Sequence, residues 1–338
     1  MTSRLPERIA DELPSGVDIP QLSGNIRQQL ARVIVGQDPV VELMLITLLA
    51  RGHALLEGVP GLAKTLLVRS LAGVTSCSFA RIQFTPDLMP GDITGSEVLE
   101  EDRTSGQRAL RFVPGPLFAN LVLADEINRT TPKTQAALLE AMQEGHVTVG
   151  GQTHPVPRPF HVFATQNPLE QEGTYPLPEA QVDRFMVRIR VDYPSADEER
   201  RIAAETTAAD EVTVEPVLDP ATLAAMQTLT RKVPAAPSVV ARAVALARAS
   251  RPGDDPFVDE HVAWGAGPRA SQFLLLGAKA RCLLQGRDVA STADVDALAH
   301  PVLEHRILLS YRAQAQGLHR RDVVEHVLRV TPQSDATL

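Results

Sequence analysis

The sequence predicts an α/β protein in which a parallel sheet lies between helices, followed by a second domain made of helices. Short apolar runs typical of buried strands alternate with helical segments before Ser195, and this alternation favours a parallel sheet covered on both faces. After Ser195 the apolar runs end and helical periodicity continues. The length of 338 residues also agrees with two domains, since about 150 residues per domain is usual.

The first part of the chain supplies the sheet and the helices that cover it. Two helical stretches are predicted within 23–50, on either side of VIVGQDP, where glycine and proline interrupt the pattern. Another helix is predicted over 131–144, with Thr131 as its N-cap, Pro132 in its first turn and Gly145 as its stop. Five strands are predicted at 53–56, 79–84, 121–124, 161–164 and 186–191.

The boundary between the domains is predicted at Ser195. Ser195 and Glu198 have the spacing of a capping box, and the strand pattern ends there. The domain plan is a flexible tail at 1–20, an αβα core at 21–194 and a helical domain at 195–332. Helices of the second domain are predicted at 222–232, 238–248, 269–285 and 292–299.

Composition excludes several classes of protein. The 33 Lys and Arg residues against 41 Asp and Glu give a net charge of −8, which argues against a nucleic-acid-binding sleeve. Cys77 and Cys282 lie far apart and lack metal-ligand spacing, so neither a disulfide framework nor a structural zinc site is indicated. A reducing cytoplasm is the expected setting. No apolar stretch is long enough for membrane insertion. The single tryptophan, Trp264, is assigned to packing rather than to a cofactor.

GVPGLAKT, at 58–65, is a candidate phosphate-binding loop because it follows a short strand and opens a helix. Its amides and the helix N-terminus would face phosphate oxygens, with Lys64 on the β- and γ-phosphates and the Thr65 hydroxyl on Mg²⁺. Ala63 stands where the standard pattern has glycine, and we expect a negative φ there. The alternative is a plain Gly/Pro turn. The candidate contacts are Gly58, Pro60, Gly61, Leu62, Ala63, Lys64, Thr65 and Leu66.

LVLADE places two acids at the end of a predicted strand, the arrangement called Walker B. A strand end is a rigid place for a carboxylate beside Mg²⁺. Asp125 is therefore assigned to the hydrated metal, and Glu126 to polarising the attacking water. An acidic pair after a strand also occurs as a solvated loop. The order of phosphate loop, strand and acidic pair favours the ATPase interpretation.

GVPGLAKT, FTPDLMPGDITG, LADEINRTTPKTQAALLEAMQEG, FATQNP, YPLPEAQVDRF and GAGPRAS together closely resemble the MoxR family of AAA+ ATPases. The resemblance extends from about Ser23 to the C-terminal region, and Ala63 is the family's own form of the loop. It implies an AAA+ core with a helical lid and Mg²⁺-dependent ATP hydrolysis. It also implies a homo-oligomeric, typically hexameric, ring that remodels partner proteins, which often carry von Willebrand factor A domains.

The resemblance also assigns roles to residues outside the phosphate loop. Asn167 corresponds to sensor 1, Arg184 to the arginine finger offered to a neighbouring subunit, and Arg269 to sensor 2 on the lid. Val35 and Gly36 occupy the position that contacts adenine. Each assignment has a structural alternative. Asn167 would form a turn before Pro168, and Arg184 would form a surface pair with Asp183. Arg269 would be an exposed arginine at a helix start, and VIVGQ a buried turn.

Two inserts and one arginine are left with open roles. The charge-rich stretch 95–115 corresponds to the family's helix-2 insert, and the hairpin 146–157, turning on Gly150-Gly151, to the insert before sensor 1. Both are expected to contact the client protein, although loops of this kind also occur as structural ornaments. Arg129 is a candidate contact to nucleotide or to a neighbouring subunit.

Three other functions remain open from the sequence. The chain is also compatible with the motor subunit of a metal-chelatase-type complex, which shares the inserts. A scaffold that binds ATP without turning it over is a second alternative, disfavoured by the presence of Glu126, Asn167 and Arg184. A nucleic-acid motor is the third, disfavoured by the acidic charge and the Gly-Gly hairpin tip.

Overall fold

The computed structural model describes residues 18–101, 108–167, 173–207 and 212–332. Within these ranges, no helix combines the length and apolar character needed to span a bilayer. The helices before the domain boundary are α1 (Ile19–Ala31), α2 (Asp38–Leu49), α3 (Lys64–Val74), α4 (Pro90–Thr94), α5 (Pro132–Glu144) and α6 (Glu179–Val182). Those after it are α7 (Ala196–Thr206), α8 (Pro220–Lys232), α9 (Pro237–Ala249), α10 (Pro256–His261), α11 (Pro268–Leu284), α12 (Thr292–Ala297), α13 (Ala299–Leu303), α14 (Tyr311–Ala315) and α15 (Arg320–Val330).

The strands of the described residues form one central sheet and three small ladders. They are β1 (Ala54–Glu57), β2 (Phe79–Gln83), β3 (Gly95–Glu101), β4 (Arg108–Pro114), β5 (Leu121–Asp125), β6 (His146–Val149), β7 (Gln152–Pro155), β8 (His161–Gln166), β9 (Val187–Arg190), β10 (Val262–Trp264) and β11 (Leu308–Leu309). The central sheet has the order β2-β5-β8-β1-β9 with every pair parallel. All five predicted core strands are confirmed, with ends shifted by at most about two residues.

Helices cover both faces of the sheet, as the apolar strands predict. Leu56 of β1 packs in one buried cluster with Leu67 of α3, whereas its neighbour Leu55 points to the other cluster with Leu138 of α5. Alternate residues of a strand face opposite sides, so a strand buried on both sides must be apolar throughout. Because every pair is parallel, the carboxyl ends of all five strands lie at one edge of the sheet. The candidates Asp125, Glu126 and Asn167 lie at this edge.

The described part of the second domain is mainly helical, with an isolated bridge between Ala235 and Ala290 and a short ladder that the sequence did not predict. β10 and β11 pair antiparallel, with Trp264 opposite Leu308. The packing role predicted for Trp264 is wrong within this chain, because 72% of its surface is exposed. The capping box at the predicted boundary is present, since the Ser195 side chain accepts from Glu198 N and the Glu198 carboxylate accepts from Ser195 N. The predicted helix 292–299 is two short helices, α12 and α13.

The tail and the inserts are described only in part. Helix α1 begins at Ile19 with Asp18 as its N-cap, so the predicted tail 1–20 overlaps this helix, and 1–17 lie outside the described residues. Insert 95–115 contains the antiparallel hairpin of β3 and β4, with 102–107 outside the described part. The second insert is the hairpin of β6 and β7. The Phe112 ring of β4 stacks on His154 of β7 at a centroid distance of 3.8 Å, so the two inserts lie together.

Two buried histidines join the sheet to its surroundings in the neutral form. His161 Nδ1 donates to Gly52 O (2.9 Å), and its Nε2 accepts from Gln227 of α8 (2.8 Å). His53 Nδ1 accepts from Val162 N, and its Nε2 donates to Met142 O. Burial lowers the pKa of His161 to about 4 and that of His53 to about 3. In each ring a second proton would bind the nitrogen that now accepts a hydrogen bond, and that hydrogen bond would be lost.

We therefore expect the free energy of unfolding to decrease as the pH falls below about 6.5. The unfolded chain takes up protons there while the folded histidines stay neutral, which costs about 1.4 kcal/mol per pH unit for each histidine. Urea unfolding between pH 7.5 and 5 measures this slope. His161→Gln should reduce it, whereas His319→Gln, at an exposed position, should leave it unchanged. A wild-type urea midpoint that is equal at pH 5 and pH 7 contradicts the prediction.

Candidate functional site

The phosphate loop connects the end of β1 to the first turn of α3. Its conformation corrects one expectation, because Ala63 adopts a left-handed φ of +55° rather than a negative one. A non-glycine residue in this conformation costs about 1 kcal/mol. Ala63 directly precedes α3 and provides no side-chain cap. The first amides of the helix therefore remain available to a ligand at its N-terminus.

Lys64 folds back over its own loop. Its ammonium donates to Val59 O (3.2 Å) and to Gly58 O. Burial lowers the pKa of Lys64, and the negative charges of Asp125 and Glu126 oppose this decrease. The ammonium is thus partly desolvated and faces an acidic pair, the environment in which a cation interacts strongly with an incoming anion.

Asp125 ends β5 with both carboxylate oxygens engaged. Its Oδ1 accepts from Thr165 Oγ1 at 2.6 Å. Its Oδ2 accepts from Arg81 Nε and Nη2 at 3.0 and 2.6 Å. Thr165 lies on β8 and Arg81 on β2, the strands on either side of β5. The carboxylate is therefore oriented from both neighbouring strands.

Glu126 follows immediately and is held by a different set of donors. Its backbone has a left-handed φ of +57°, and its N–H donates to Thr165 Oγ1 (2.8 Å). Its Oε2 accepts from Gln83 Nε2 and from Arg129 Nη1, both at 2.9 Å. Strained backbone of this kind is typical of functional positions. Arg129, whose role the sequence left open, contacts the catalytic candidate directly.

A cavity of about 450 Å³ joins the loop to the acidic pair. Loop residues 60–66, including Lys64 and Thr65, line it together with Asp125, Glu126 and Asn167. The structure therefore brings these predicted residues together around one cavity. Asn167 is 7% exposed and lies directly after β8, so its amide is fixed at the same sheet edge as the acids.

A second cavity of about 450 Å³ adjoins the first, and Gly61, Leu62, Ala63 and Leu66 line both. Its wall is mainly apolar and includes Val35 and Ile202, which suits a flat base. Of the two predicted adenine contacts, only Val35 is among the described residues that line it. Gly36 forms the turn beside it, with φ of +68°, and a Cβ there would overlap the Glu198 carboxylate.

The two predicted arginines of the ring mechanism lie elsewhere. In the described part of the chain, neither Arg184 nor Arg269 lines the phosphate cavity. Arg269, at the start of α11, donates to Asp183 Oδ2 at 2.8 Å, and Arg306 Nε donates to Asp183 Oδ1 at 2.8 Å. The alternative of an Asp183–Arg184 surface pair is therefore wrong. Within the described ranges the half-buried Arg184 side chain has no ion pair.

Comparison with known proteins agrees with this geometry. Residues 53–187 match the family described as "ATPase family associated with various cellular activities (AAA)", and residues 256–327 match "AAA lid domain". The chain is 43% identical to Chaperone MoxR1 of Mycobacterium tuberculosis, over 91% of this chain and 82% of that protein. It is 30% identical to Protein MoxR of Methylorubrum extorquens, over 91% and 92%. The chain belongs to the MoxR family of AAA+ ATPases. A crystal structure from Cytophaga hutchinsonii has a TM-score of 0.84 at 38% identity, covering 92% of this chain and 94% of that chain.

In this MoxR-family ATPase the sequence missed the residues that support the acids. Arg81, Gln83 and Thr165 contact Asp125 or Glu126. Thr165 lies in FATQNP but was assigned no role, and no motif marked Arg81 or Gln83. The one available signal was alternation: Arg81 and Gln83 are two apart on β2, so they share a face of the sheet. Knowing that this face meets the acids required the register of β2 against β5, which pairs Gln83 with Asp125.

Proposed function

We propose that this protein hydrolyses Mg²⁺-bound ATP as a hexameric ring and uses the resulting movements to remodel or activate a partner complex, one containing a von Willebrand factor A domain protein. One observation supports this most directly. Three separate segments of the sequence supply Lys64, Thr65, Asp125, Glu126 and Asn167, and all five residues line one cavity beside an apolar pocket. A cavity with a cationic loop and an acidic pair suits phosphoryl transfer.

The donors of this cavity fit a magnesium–nucleotide complex. The Thr65 hydroxyl and the Asp125 carboxylate are oxygen ligands of the kind that Mg²⁺ takes in phosphoryl-transfer sites. The amides at the start of α3 and the Lys64 ammonium suit the phosphate oxygens. A bound magnesium ion would neutralise charge on those oxygens. This division of the cavity into a cationic loop side and an acidic strand side supports Mg²⁺ dependence.

The hydrolytic step follows from the positions of Glu126 and Asn167. Glu126 takes a proton from the attacking water as the water oxygen bonds to the γ-phosphorus. The bond from that phosphorus to the bridging oxygen breaks, and ADP and phosphate are the products. Asn167 orients the water through its amide. Gln83 and Arg129 donate to the Glu126 carboxylate and hold it in place. A general base must be held within hydrogen-bond reach of the proton that it removes.

The position of Arg184 favours the proposed assembly into a ring. It lies outside its own phosphate cavity, and within the described ranges its guanidinium makes no ion pair. A partly buried cation of this kind is available to the γ-phosphate of an adjacent subunit, where it would stabilise the charge that develops. Hydrolysis would then depend on assembly, because each complete site needs two subunits in head-to-tail contact.

Mixing two inactive variants tests this arrangement. We expect Arg184→Ala and Glu126→Gln to be inactive separately and to recover about a quarter of the wild-type rate when mixed, because half of the sites keep Glu126 and half of their neighbours supply Arg184. Phosphate release at saturating ATP is the measurement. The control mixes Arg184→Ala with the double variant, which carries both changes and should restore nothing. An absence of recovery in the first mixture contradicts a finger acting between subunits.

We propose that the protein acts in the cytoplasm. Cys77 and Cys282 are both buried and form no disulfide, and free thiols of this kind are typical of proteins in the reducing cytoplasm. In the described part of the chain no group of His, Cys, Asp and Glu has the arrangement of a metal-binding cluster.

A further inference from the structure

Arg81 occupies the Asp125 carboxylate that the proposed function assigns to magnesium. Its Nε and Nη2 both donate to Asp125 Oδ2, at 3.0 and 2.6 Å, while Thr165 donates to Oδ1. Arg81 also lines the phosphate cavity. A guanidinium that makes two bonds to one carboxylate oxygen is a strong partner. While Arg81 donates both hydrogen bonds to Oδ2, this oxygen binds a hydrated divalent cation more weakly than a free carboxylate oxygen would.

The two members of this ion pair differ in their freedom to move. The Asp125 side chain is 13% exposed and is held from β8, whereas the Arg81 side chain is 48% exposed. A long, half-exposed arginine can turn into solvent, while a carboxylate fixed at a strand end cannot. Of the two groups, Arg81 is therefore the one that is free to move away.

We propose that Arg81 is an internal counter-ion of the metal site: it neutralises Asp125 when no divalent cation is bound and must leave the carboxylate when the cation binds. The inference rests on the proposed function, since it uses the same cavity. Arg81 Nη2 also donates to Gln83 Oε1 at 2.6 Å, and Gln83 donates to Glu126. Without Arg81, the adjacent charges of Asp125 and Glu126 would repel one another more strongly.

The proposal predicts effects of opposite sign on two affinities. Replacing Arg81 with glutamine removes a competitor for Asp125, so nucleotide binding in the presence of Mg²⁺ gains strength. The same change removes one positive charge from the phosphate cavity, so binding of metal-free nucleotide weakens. The ratio of the dissociation constants in EDTA and in excess Mg²⁺ should therefore rise, by about tenfold for removing one close charge.

Fluorescence titration with a labelled ADP measures both constants in the full-length protein. Arg81→Gln should show the increased ratio, and Arg81→Lys, which retains the charge with one donor head, an intermediate one. The matched control is Arg111→Gln, which also breaks an arginine–carboxylate pair, with Glu100 at 3.2 Å, but in the β3–β4 hairpin. Its ratio should equal that of the wild type.

Melting of the nucleotide-free protein gives a second readout. Millimolar Mg²⁺ should raise the melting temperature of Arg81→Gln more than that of the wild type, because the cation replaces the missing charge. A ratio and a Mg²⁺-induced melting shift that both equal the wild-type values overturn the role of Arg81 and leave the proposed ATPase intact. If the wild type fails to bind the labelled ADP in Mg²⁺, the proposed function fails as well.

Discussion

Replacing Glu126 with glutamine is expected to lower ATP turnover by about 10²- to 10⁴-fold, the usual contribution of a general base, while ATP binding is retained. The amide has nearly the shape of the carboxylate, so the loop and Lys64 still meet the phosphates. It cannot accept a proton from water. Phosphate release at saturating ATP measures the loss, and titration with a labelled nucleotide measures the binding.

The control for this variant is Glu140→Gln, the same change at an exposed position on α5. It should leave both turnover and binding at wild-type values. Because Glu126→Gln retains ATP, it should also accumulate assembled rings, from which we expect a von Willebrand factor A domain protein to co-purify. If the variant and the wild type release phosphate at equal rates, Glu126 is not the base.

The convergence of the main site residues was predictable from the sequence. Parallel strands place their carboxyl ends at one edge of the sheet, so residues that directly follow β1, β5 and β8 must be neighbours in space. Asp125 is the last residue of β5, Asn167 directly follows β8, and Lys64 begins α3 after the loop that leaves β1. The structure brings all three residues to one cavity. The strand ending in two acids located Asp125, the phosphate-loop pattern located Lys64, and the family resemblance assigned Asn167.

The supporting contacts were not predictable, because they depend on register and on docking of the second domain. Arg81 meets Asp125 only through the pairing of β2 with β5. The left-handed φ of Ala63 also escaped prediction, since alanine ordinarily signals a negative φ. No motif surrounds Arg306 in the sequence, so its burial was not predicted. In the structure only 6% of its surface is exposed.

Arg306 connects the second domain to the residues around Arg184. From a 3₁₀ turn at Glu304–Arg306, its guanidinium donates to the Asp183 carboxylate (2.8 Å) and to the carbonyl oxygens of Asp183 and Phe185 (2.8 and 2.6 Å). Burial lowers the pKa of Arg306 to about 10, and the charge of Asp183 opposes the decrease. The side chain thus stays charged at neutral pH.

Arg306→Ala is expected to destabilise the protein by about 3 kcal/mol or more, because removing one partner of a buried ion pair leaves desolvated acceptors without donors. Asp183 would retain Arg269, but the carbonyl oxygens of Asp183 and Phe185 would lose their Arg306 donors. Since those carbonyls flank Arg184, turnover should fall with stability. Urea unfolding at pH 7 gives the free energy, and phosphate release below the unfolding transition gives the rate.

Two further variants separate the causes of this destabilisation. Arg312→Ala removes an ion pair of similar length, with Glu260 at 2.8 Å, but its side chain is 67% exposed, so less than about 1 kcal/mol should be lost. Arg306→Lys keeps the charge without the planar fork, and one ammonium cannot reach acceptors on both sides of Arg184. We therefore expect Arg306→Lys to lower the free energy of unfolding nearly as much as Arg306→Ala does. If Arg306→Lys is as stable as the wild type, charge alone holds the second domain against the segment that carries Arg184, and the hydrogen-bond geometry is dispensable.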